Sequence, residues 1–303
     1  MKAPTATRYL ALFLGVATLG AQQPSFKVDV RLVRLLVTVK NAAGDLVGLL
    51  NRADFTVQDD GVVQDIAVFE HQTAQPLSVA LLVDTSASTG KDLRYETASI
   101  TKFLNALVQE GNPDDTVSLY TFNWQVTLLN SFTRRISRIE DSLRMLHPEG
   151  GTSLYDAIYL SSQPLHDREG RHVIVAVSDG GDTTSSKKYR DAVDSAQKAD
   201  AVFYPVVVVP ITNDAGRNTG GEHALETLAA STGGRAFYPS VGASLDRAFE
   251  EILRDLRTQY LIGYYPRGVI TGDAHFHAVR VELPRRRDLR VSTRTGYYGE
   301  VSR

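Results

Sequence analysis

The first stretch of the chain alternates apolar and polar residues at the spacing of strands: Val28, Val30 and Leu32, then Leu35, Val37 and Val39. Asn41 to Asp45 supplies turn chemistry, and Asp59-Asp60-Gly61 supplies a second turn before Ile66 to Phe69. From Leu77 the pattern changes. Val79 to Val83 is a continuous apolar run, as expected of a parallel strand covered on both faces. Ile100, Phe103, Leu104 and Leu107 then recur at helical spacing until Gly111-Asn112-Pro113 stops the helix.

The alternation continues with strands at Thr116 to Phe122 and Gln125 to Leu129, and with a helix face formed by Ile136, Ile139, Leu143 and Leu146. A helix opens near Ser153, and Val173 to Val177 and Val202 to Val209 form two further buried strands. Leu225 and Leu228 mark another helix, Arg235 to Tyr238 a short strand, and Leu245, Phe249, Ile252 and Leu256 a final helix. Strands separated by helices predict a doubly wound α/β architecture with a mostly parallel sheet. After Thr258 strand spacing returns at Tyr260, Ile262 and Tyr264, at Val279, Val281 and Leu283, and at Leu289, Val291 and Thr293. A meander of three or four strands is marginal alone, so the two flanks are expected to pair into one small discontinuous sandwich. The expected organisation is a leader at 1–21, an N-terminal β segment at 25–76, the α/β domain at 77–257 and a C-terminal β segment at 258–299.

The leader rests on Lys2 and Arg8, the apolar run Tyr9 to Leu19, and small residues Gly20 and Ala21. That layout matches a secretory signal, and the run is about half the roughly 20 residues of a membrane-spanning helix. Leu19 fits poorly two places before a cleavage after Ala21, which keeps an uncleaved anchor as the alternative. The reading predicts export to a periplasmic or extracellular location, with no integral span after cleavage. The absence of cysteine excludes a lipid anchor on cysteine, disulfides and thiolate metal sites. Thirty-three basic against 35 acidic residues give a formal charge of −2, with no global field for nucleic acid or an anionic membrane.

The candidate chemistry lies at strand ends. Val79 to Val83 runs into Asp84-Thr85-Ser86-Ala87-Ser88, and Val173 to Val177 runs into Ser178-Asp179-Gly180. In an open parallel sheet, ligand sites form at the carboxyl ends of the strands. Between these segments Gly150-Gly151-Thr152 precedes a helix, and this loop can bring its threonine to the same edge. Asp84, Ser86, Ser88, Thr152 and Asp179 make a hard oxygen set without histidine or thiol, suited to Mg²⁺ or Mn²⁺. Each residue also has a plainer reading. Asp84, Ser86 and Ser88 could cap the helix near Lys91, Thr152 or Ser153 could be an N-cap with Asp156 completing a capping box, and Asp179-Gly180 could be only a turn.

This constellation resembles the metal-ion-dependent adhesion site of von Willebrand factor type A domains, with all five positions filled in order. The resemblance covers about Leu77 to Leu256 and includes Ser231-Thr232-Gly233-Gly234 before a short strand. It implies a Rossmann-like sheet, direct coordination by Ser86, Ser88 and Thr152, and coordination by Asp84 and Asp179 directly or through water. It also implies a protein partner that offers a carboxylate to the remaining position. Asp54-Phe55, Asp60-Gly61, Tyr260-Leu261-Ile262-Gly263-Tyr264 and Arg294-x-Gly296-Tyr297-Tyr298 in the flanks are similar to exported bacterial proteins of this family of the acidobacterial type.

Enzymatic readings are less well supplied. An aspartyl-phosphate phosphatase needs a second carboxylate two positions after its nucleophile, where this chain has Ser86. No Gly-x-Ser-x-Gly elbow and no glycine-rich phosphate loop after the first core strand are present. A scaffold subunit with a merely stabilising metal is the remaining alternative. His275 and His277 fall on one face of a strand, but with no third ligand nearby in sequence they are read as a solvated edge. Arg285-Arg286-Arg287 is read as a charged hairpin tip, Asp182 to Ser186 as the rim near Asp179, and Tyr265, Tyr297 and Tyr298 as sandwich packing.

Overall fold

A computed structural model of the chain describes residues 32–71, 75–208, 219–269 and 275–299. The leader and the alternation at Val28 and Val30 lie outside the described residues. The N-terminal flank forms β1 (Val33–Lys40), β2 (Thr56–Asp59), β3 (Val62–Gln64) and β4 (Ile66–His71). The α/β region then runs through β5 (Leu77–Asp84), α1 (Leu93–Glu110), β6 (Thr116–Phe122), β7 (Val126–Thr133) and α2 (Ile136–Arg144). It continues with α3 (Leu154–His166), β8 (Arg171–Ser178), α4 (Tyr189–Lys198), β9 (Ala201–Val207), α5 (Thr219–Thr232) and α6 (Ala243–Thr258). The C-terminal flank adds β10 (Tyr260–Tyr264), β11 (Phe276–Glu282), β12 (Arg290–Ser292) and β13 (Gly296–Tyr298).

The central sheet has the order β7-β6-β5-β8-β9, parallel throughout except for the antiparallel edge strand β7. The unbroken apolar run of β5 has a direct cause, because its alternate side chains serve two cores. Val79, Leu81 and Val83 pack with Ile100, Phe103 and Leu104 of α1 and with Phe249 and Ile252 of α6. Ala80 and Leu82 face Leu154 and Ile158 of α3 and Leu225 and Leu228 of α5. The chain leaves β5 toward β6 on one side and returns to β8 on the other, so the strand order reverses between β5 and β8. The carboxyl ends of these two strands therefore flank the switch-point crevice, the usual ligand position in such sheets.

The flanks interleave into two four-stranded sheets, β12-β1-β10-β4 and β13-β11-β2-β3, each mixing N- and C-terminal strands. Leu35, Val37, Val57, Tyr260, Ile262, Tyr264, Val279 and Val281 fill the space between them. This is the discontinuous sandwich that the alternation predicts. It is tied to the α/β region by Lys40 Nζ on Asp255 at 3.0 Å, the Arg294–Asp200 ion pair and Thr295 N–H on Ser231 O at 2.9 Å. Tyr298 also donates its hydroxyl to Asp194 at 2.8 Å. Gly233 makes the close passage possible: at φ +86°, a Cβ there would stand 2.8 Å from Arg294 N of the C-terminal flank.

Helix α4 leaves no apolar stripe in the sequence, because its buried residues are Ala192, Ser195, Ala196 and Gln197 rather than large apolar side chains. Three expectations need correction. Arg235 to Tyr238 is no strand, since only Phe237 makes a single parallel bridge, to Val206. Arg285 to Arg287 does not tip a hairpin: β11 and β12 on either side belong to different sheets, so the exposed turn crosses the edge of the sandwich. His277 is not on a solvated edge, with only 2% of its side chain exposed. Among the described residues no helix is long and apolar enough to cross a membrane.

Candidate metal centre

Asp84 ends β5 completely buried, and both of its carboxylate oxygens are engaged. Oδ1 accepts the Ser86 backbone N–H at 2.7 Å, and Oδ2 accepts the Ser178 hydroxyl from the end of β8 at 2.6 Å. The chain then makes a short 3-10 turn, Ala87–Lys91, closed by the Thr89 hydroxyl on the carbonyls of Asp84 and Ser86 at 3.2 and 2.9 Å. This turn places the Ser86 and Ser88 hydroxyl oxygens 2.9 Å apart. Neither hydroxyl is spent on a helix cap: no side-chain cap bond is made at the start of this turn or of α1.

The loop before α3 is drawn to the same edge by backbone bonds. Glu149 N–H donates to Thr85 O at 2.8 Å, Trp124 N–H to Gly150 O at 3.1 Å, and Ser153 N–H to Asn123 O at 2.7 Å. Gly151 lies at φ +79°, and a Cβ there would stand 2.9 Å from Trp124 Cβ, so glycine fits both the turn and the close approach. Thr152 is buried and is clasped by the segment after β8: its N–H donates to the Thr183 hydroxyl at 2.9 Å, and its carbonyl accepts from the Thr183 and Thr184 N–H groups. The capping-box reading of Ser153 and Asp156 does not hold. Ser153 Oγ instead meets Thr184 Oγ1 at 2.8 Å, and the Asp156 carboxylate accepts the Ser186 and Lys187 N–H groups at 2.9 and 2.7 Å.

Asp179 follows β8 and accepts the Gly181 N–H at 3.2 Å, close enough to Asp84 for its charge to act there. The sequence-predicted residues thus fall into a tight trio, Asp84, Ser86 and Ser88, with Asp179 and the Thr152 loop beside it. Among the described residues the Thr152 hydroxyl makes no direct hydrogen bond to the other four. Asp182 ties the segment after β8 to the start of α3, accepting the Tyr155 N–H at 3.1 Å and the Ser185 hydroxyl at 2.6 Å.

The electrostatics of this edge are strongly one-sided. Burial pushes the Asp84 carboxyl up to about 6, against the hydrogen bonds from Ser178 and Ser86, and the Asp179 charge raises it further. A third acid, Glu96 of α1, went unnoticed in the sequence. It is 1% exposed, its Oε2 has no partner, and burial followed by the charges of Asp84, Asp92 and Asp179 pushes it up to about 8. Its signal is its spacing, since Leu93, Glu96, Ile100, Phe103 and Leu107 lie on one buried face of the helix.

This donor set fits a small divalent cation. A ligand shell of about 2.0–2.1 Å in octahedral geometry separates adjacent oxygens by about 2.9 Å, the spacing of the Ser86 and Ser88 hydroxyls. Among the described residues no lysine or arginine forms a salt bridge with Asp84 or Asp179, so a cation there would offset carboxylate charge.

Residues 79–181 match the family model described as von Willebrand factor type A domain. No curated protein matches the chain. Among solved structures, a conserved hypothetical protein BatB from Bacteroides thetaiotaomicron is similar at 17% identity and a TM-score of 0.49, covering 60% of this chain and 100% of that one. The vWF domain of the type V pili tip protein Mfa5 from Porphyromonas gingivalis is similar at 14% identity and a TM-score of 0.49, covering 66% and 99%. The PilB minor pilin from Streptococcus sanguinis is similar at 12% identity and a TM-score of 0.46, covering 61% and 62%. The family match runs from near the start of β5 past the end of β8, and over these residues the chain carries a von Willebrand factor type A domain.

Proposed function

We propose that the chain is an exported, divalent-metal-dependent binding module that captures an acidic group of a protein partner at the β5–β8 switch point. Ser86, Ser88 and Thr152 would hold Mg²⁺ or Mn²⁺ through their hydroxyls, and Asp84 and Asp179 directly or through water. The ion would supply an electrophilic position that a partner's carboxylate can fill in place of water. The observation that carries the reading is the pairing of the Ser86 and Ser88 hydroxyls at 2.9 Å beside the buried Asp84 carboxylate. Asp84 orients the loop by accepting the Ser86 N–H, and Ser178 holds its second oxygen, so the carboxylate is fixed before any ligand arrives.

A binding role suits these residues better than catalysis. Asp84 is enclosed and hydrogen-bonded at both oxygens, which leaves it poorly placed as a nucleophile, and Ser86 stands where a phosphatase needs its acid and base. The test is a thermal melt of the chelator-treated chain with and without millimolar Mg²⁺, repeated for Asp84→Ala, together with capture of exported proteins with and without chelator. Mg²⁺ raises the Tm of the wild type and not of the variant, and capture is lost on chelation. A Tm indifferent to Mg²⁺ removes the metal from the reading. Equal capture in chelator moves the binding surface elsewhere, and metal-dependent phosphate-ester hydrolysis abolished by Asp84→Ala makes the chain an enzyme.

A further inference from the structure

A second constellation lies in the sandwich, on strands of a sheet separate from the one that carries the Asp84 loop. Strand β2 ends in Asp59, fully buried, and the turn after it begins with Asp60, held at φ +47°; β11 carries the buried His277 two residues before Val279, the partner of Asp59 in the register. His277 Nδ1 stands 3.2 Å from Asp59 Oδ1 and 3.2 Å from Asp60 Oδ2. One ligand atom from each of these three residues lies within 4.8 Å of the others.

The outer contacts hold the inner atoms in place. Asp59 Oδ2 accepts the hydroxyls of Tyr264 and Tyr297 at 2.9 and 2.8 Å, leaving Oδ1 turned to the histidine. Asp60 Oδ1 accepts the Ala278 N–H at 2.9 Å, leaving Oδ2 turned to the same ring nitrogen. His275 Nε2 reaches that Asp60 oxygen at 3.3 Å, and the Tyr297 ring stacks on His277 at 4.7 Å and 8°. Carboxylates fixed by outer donors while their free oxygens converge with an imidazole nitrogen form the pattern of a metal shell. Among the described residues neither Asp59 nor Asp60 has a lysine or arginine partner, so no fixed cationic side chain pairs with either carboxylate, one of them fully buried.

We propose that Asp59, Asp60 and His277 bind a transition-metal dication of the zinc class, with His275 orienting Asp60. The donor chemistry selects this class over Mg²⁺, because imidazole nitrogen suits zinc-like ions. Ligands at about 2.0–2.1 Å around a tetrahedral ion lie about 3.3–3.4 Å apart, and the two distances from His277 Nδ1 are 3.2 Å. The competing occupant is a proton on Nδ1 shared between the carboxylates. An entry path exists, since the side chains of His275 and Asp60 are 51% and 29% exposed. The bound ion would staple the β2–β3 turn to β11 and thereby join the N- and C-terminal flanks.

The test uses the full chain carrying Asp84→Ala, so that the β5–β8 site contributes nothing and the two proposals stand or fall separately. After chelation and dialysis the chain is titrated with Co²⁺, read by its visible ligand-field absorption, and the Co²⁺ is then displaced by Zn²⁺. We expect one Co²⁺ per chain, displaced stoichiometrically, and binding at least about tenfold weaker in His277→Gln. Asp60→Asn, at a partly exposed position, covers the case in which His277→Gln fails to fold, with the same tenfold loss expected. Absence of a cobalt spectrum, or undiminished affinity in the folded variant, overturns the proposal and leaves the proton as the occupant.

Discussion

Glu96 carries a cost that the fold accepts. Its folded pKa of about 8 stands above its ordinary 4.5, so between these values the folded state binds more protons than the unfolded one. Stability contributed by the protonated form is therefore intact below about pH 4.5 and lost as pH rises toward 8, by at most about 5 kcal/mol. Asp84 has the same sign but titrates near 6, so the interval from pH 7 to 9 isolates Glu96. In thermal melts of the chelated chain, Tm falls across that interval. Glu96→Gln keeps the shape and removes the charge, so its profile is flatter and it is the more stable protein at pH 9. An unchanged slope would mean that Glu96 ionises without penalty, through a path to water. An acid in the apolar stripe of a helix is visible in sequence once the stripe is drawn, whereas its nearness to Asp84 and Asp179, which lie at strand ends of the sheet beside it, is not.

At the scale of elements, legibility follows how local the cause is. Strands β5, β8 and β9 show as apolar runs because both faces are covered, and α1 and α6 show as apolar stripes. Asp84, Ser86 and Ser88 are legible because one short turn sets their relation. Helix α4 is hidden, because small and polar side chains suffice where α3 lies against it. The Asp59–His277 pair is hidden for another reason: 218 residues separate its members, and nothing local marks a register between strands of opposite flanks. Pairing of the flanks could be argued from their size, but its register could not. Strand β10 is its centre, lying between β1 and β4 with Ile262 opposite Leu35 and Phe69. Ile262→Ala leaves a cavity in a fully buried position and is expected to cost about 2–5 kcal/mol. The loss is measurable by denaturant unfolding, with hydrogen-exchange protection falling first in β1, β4 and β10. A cost below about 1 kcal/mol would show that the sandwich contributes little to the stability of the chain.

At the scale of the whole molecule, the question is whether the sandwich and the α/β region melt together. Side-chain and backbone ties join them at Lys40, Arg294, Thr295 and Tyr298. Arg294 is the densest, pairing with Asp200 after α4, donating to Arg34 O at 2.8 Å and lying over the Tyr297 ring at 5.5 Å. Its side chain is 12% exposed, so truncation leaves the β1 carbonyl and Asp200 without their partner. Asp200 is 35% exposed and water screens its charge, so truncation is expected to cost about 1–3 kcal/mol, from the lost pair and the lost bond to Arg34 O. The single tryptophan, Trp124, reports on the α/β region beside the Thr152 loop, while Tyr260, Tyr264 and Tyr297 report on the sandwich. In the wild type, tryptophan fluorescence and near-ultraviolet tyrosine dichroism are expected to give one coincident transition. In Arg294→Ala the tyrosine signal is lost first and the fluorescence transition stays near its original midpoint. Coincident transitions in the variant would show that the remaining bonds at Lys40, Thr295 and Tyr298 are sufficient to couple the two units.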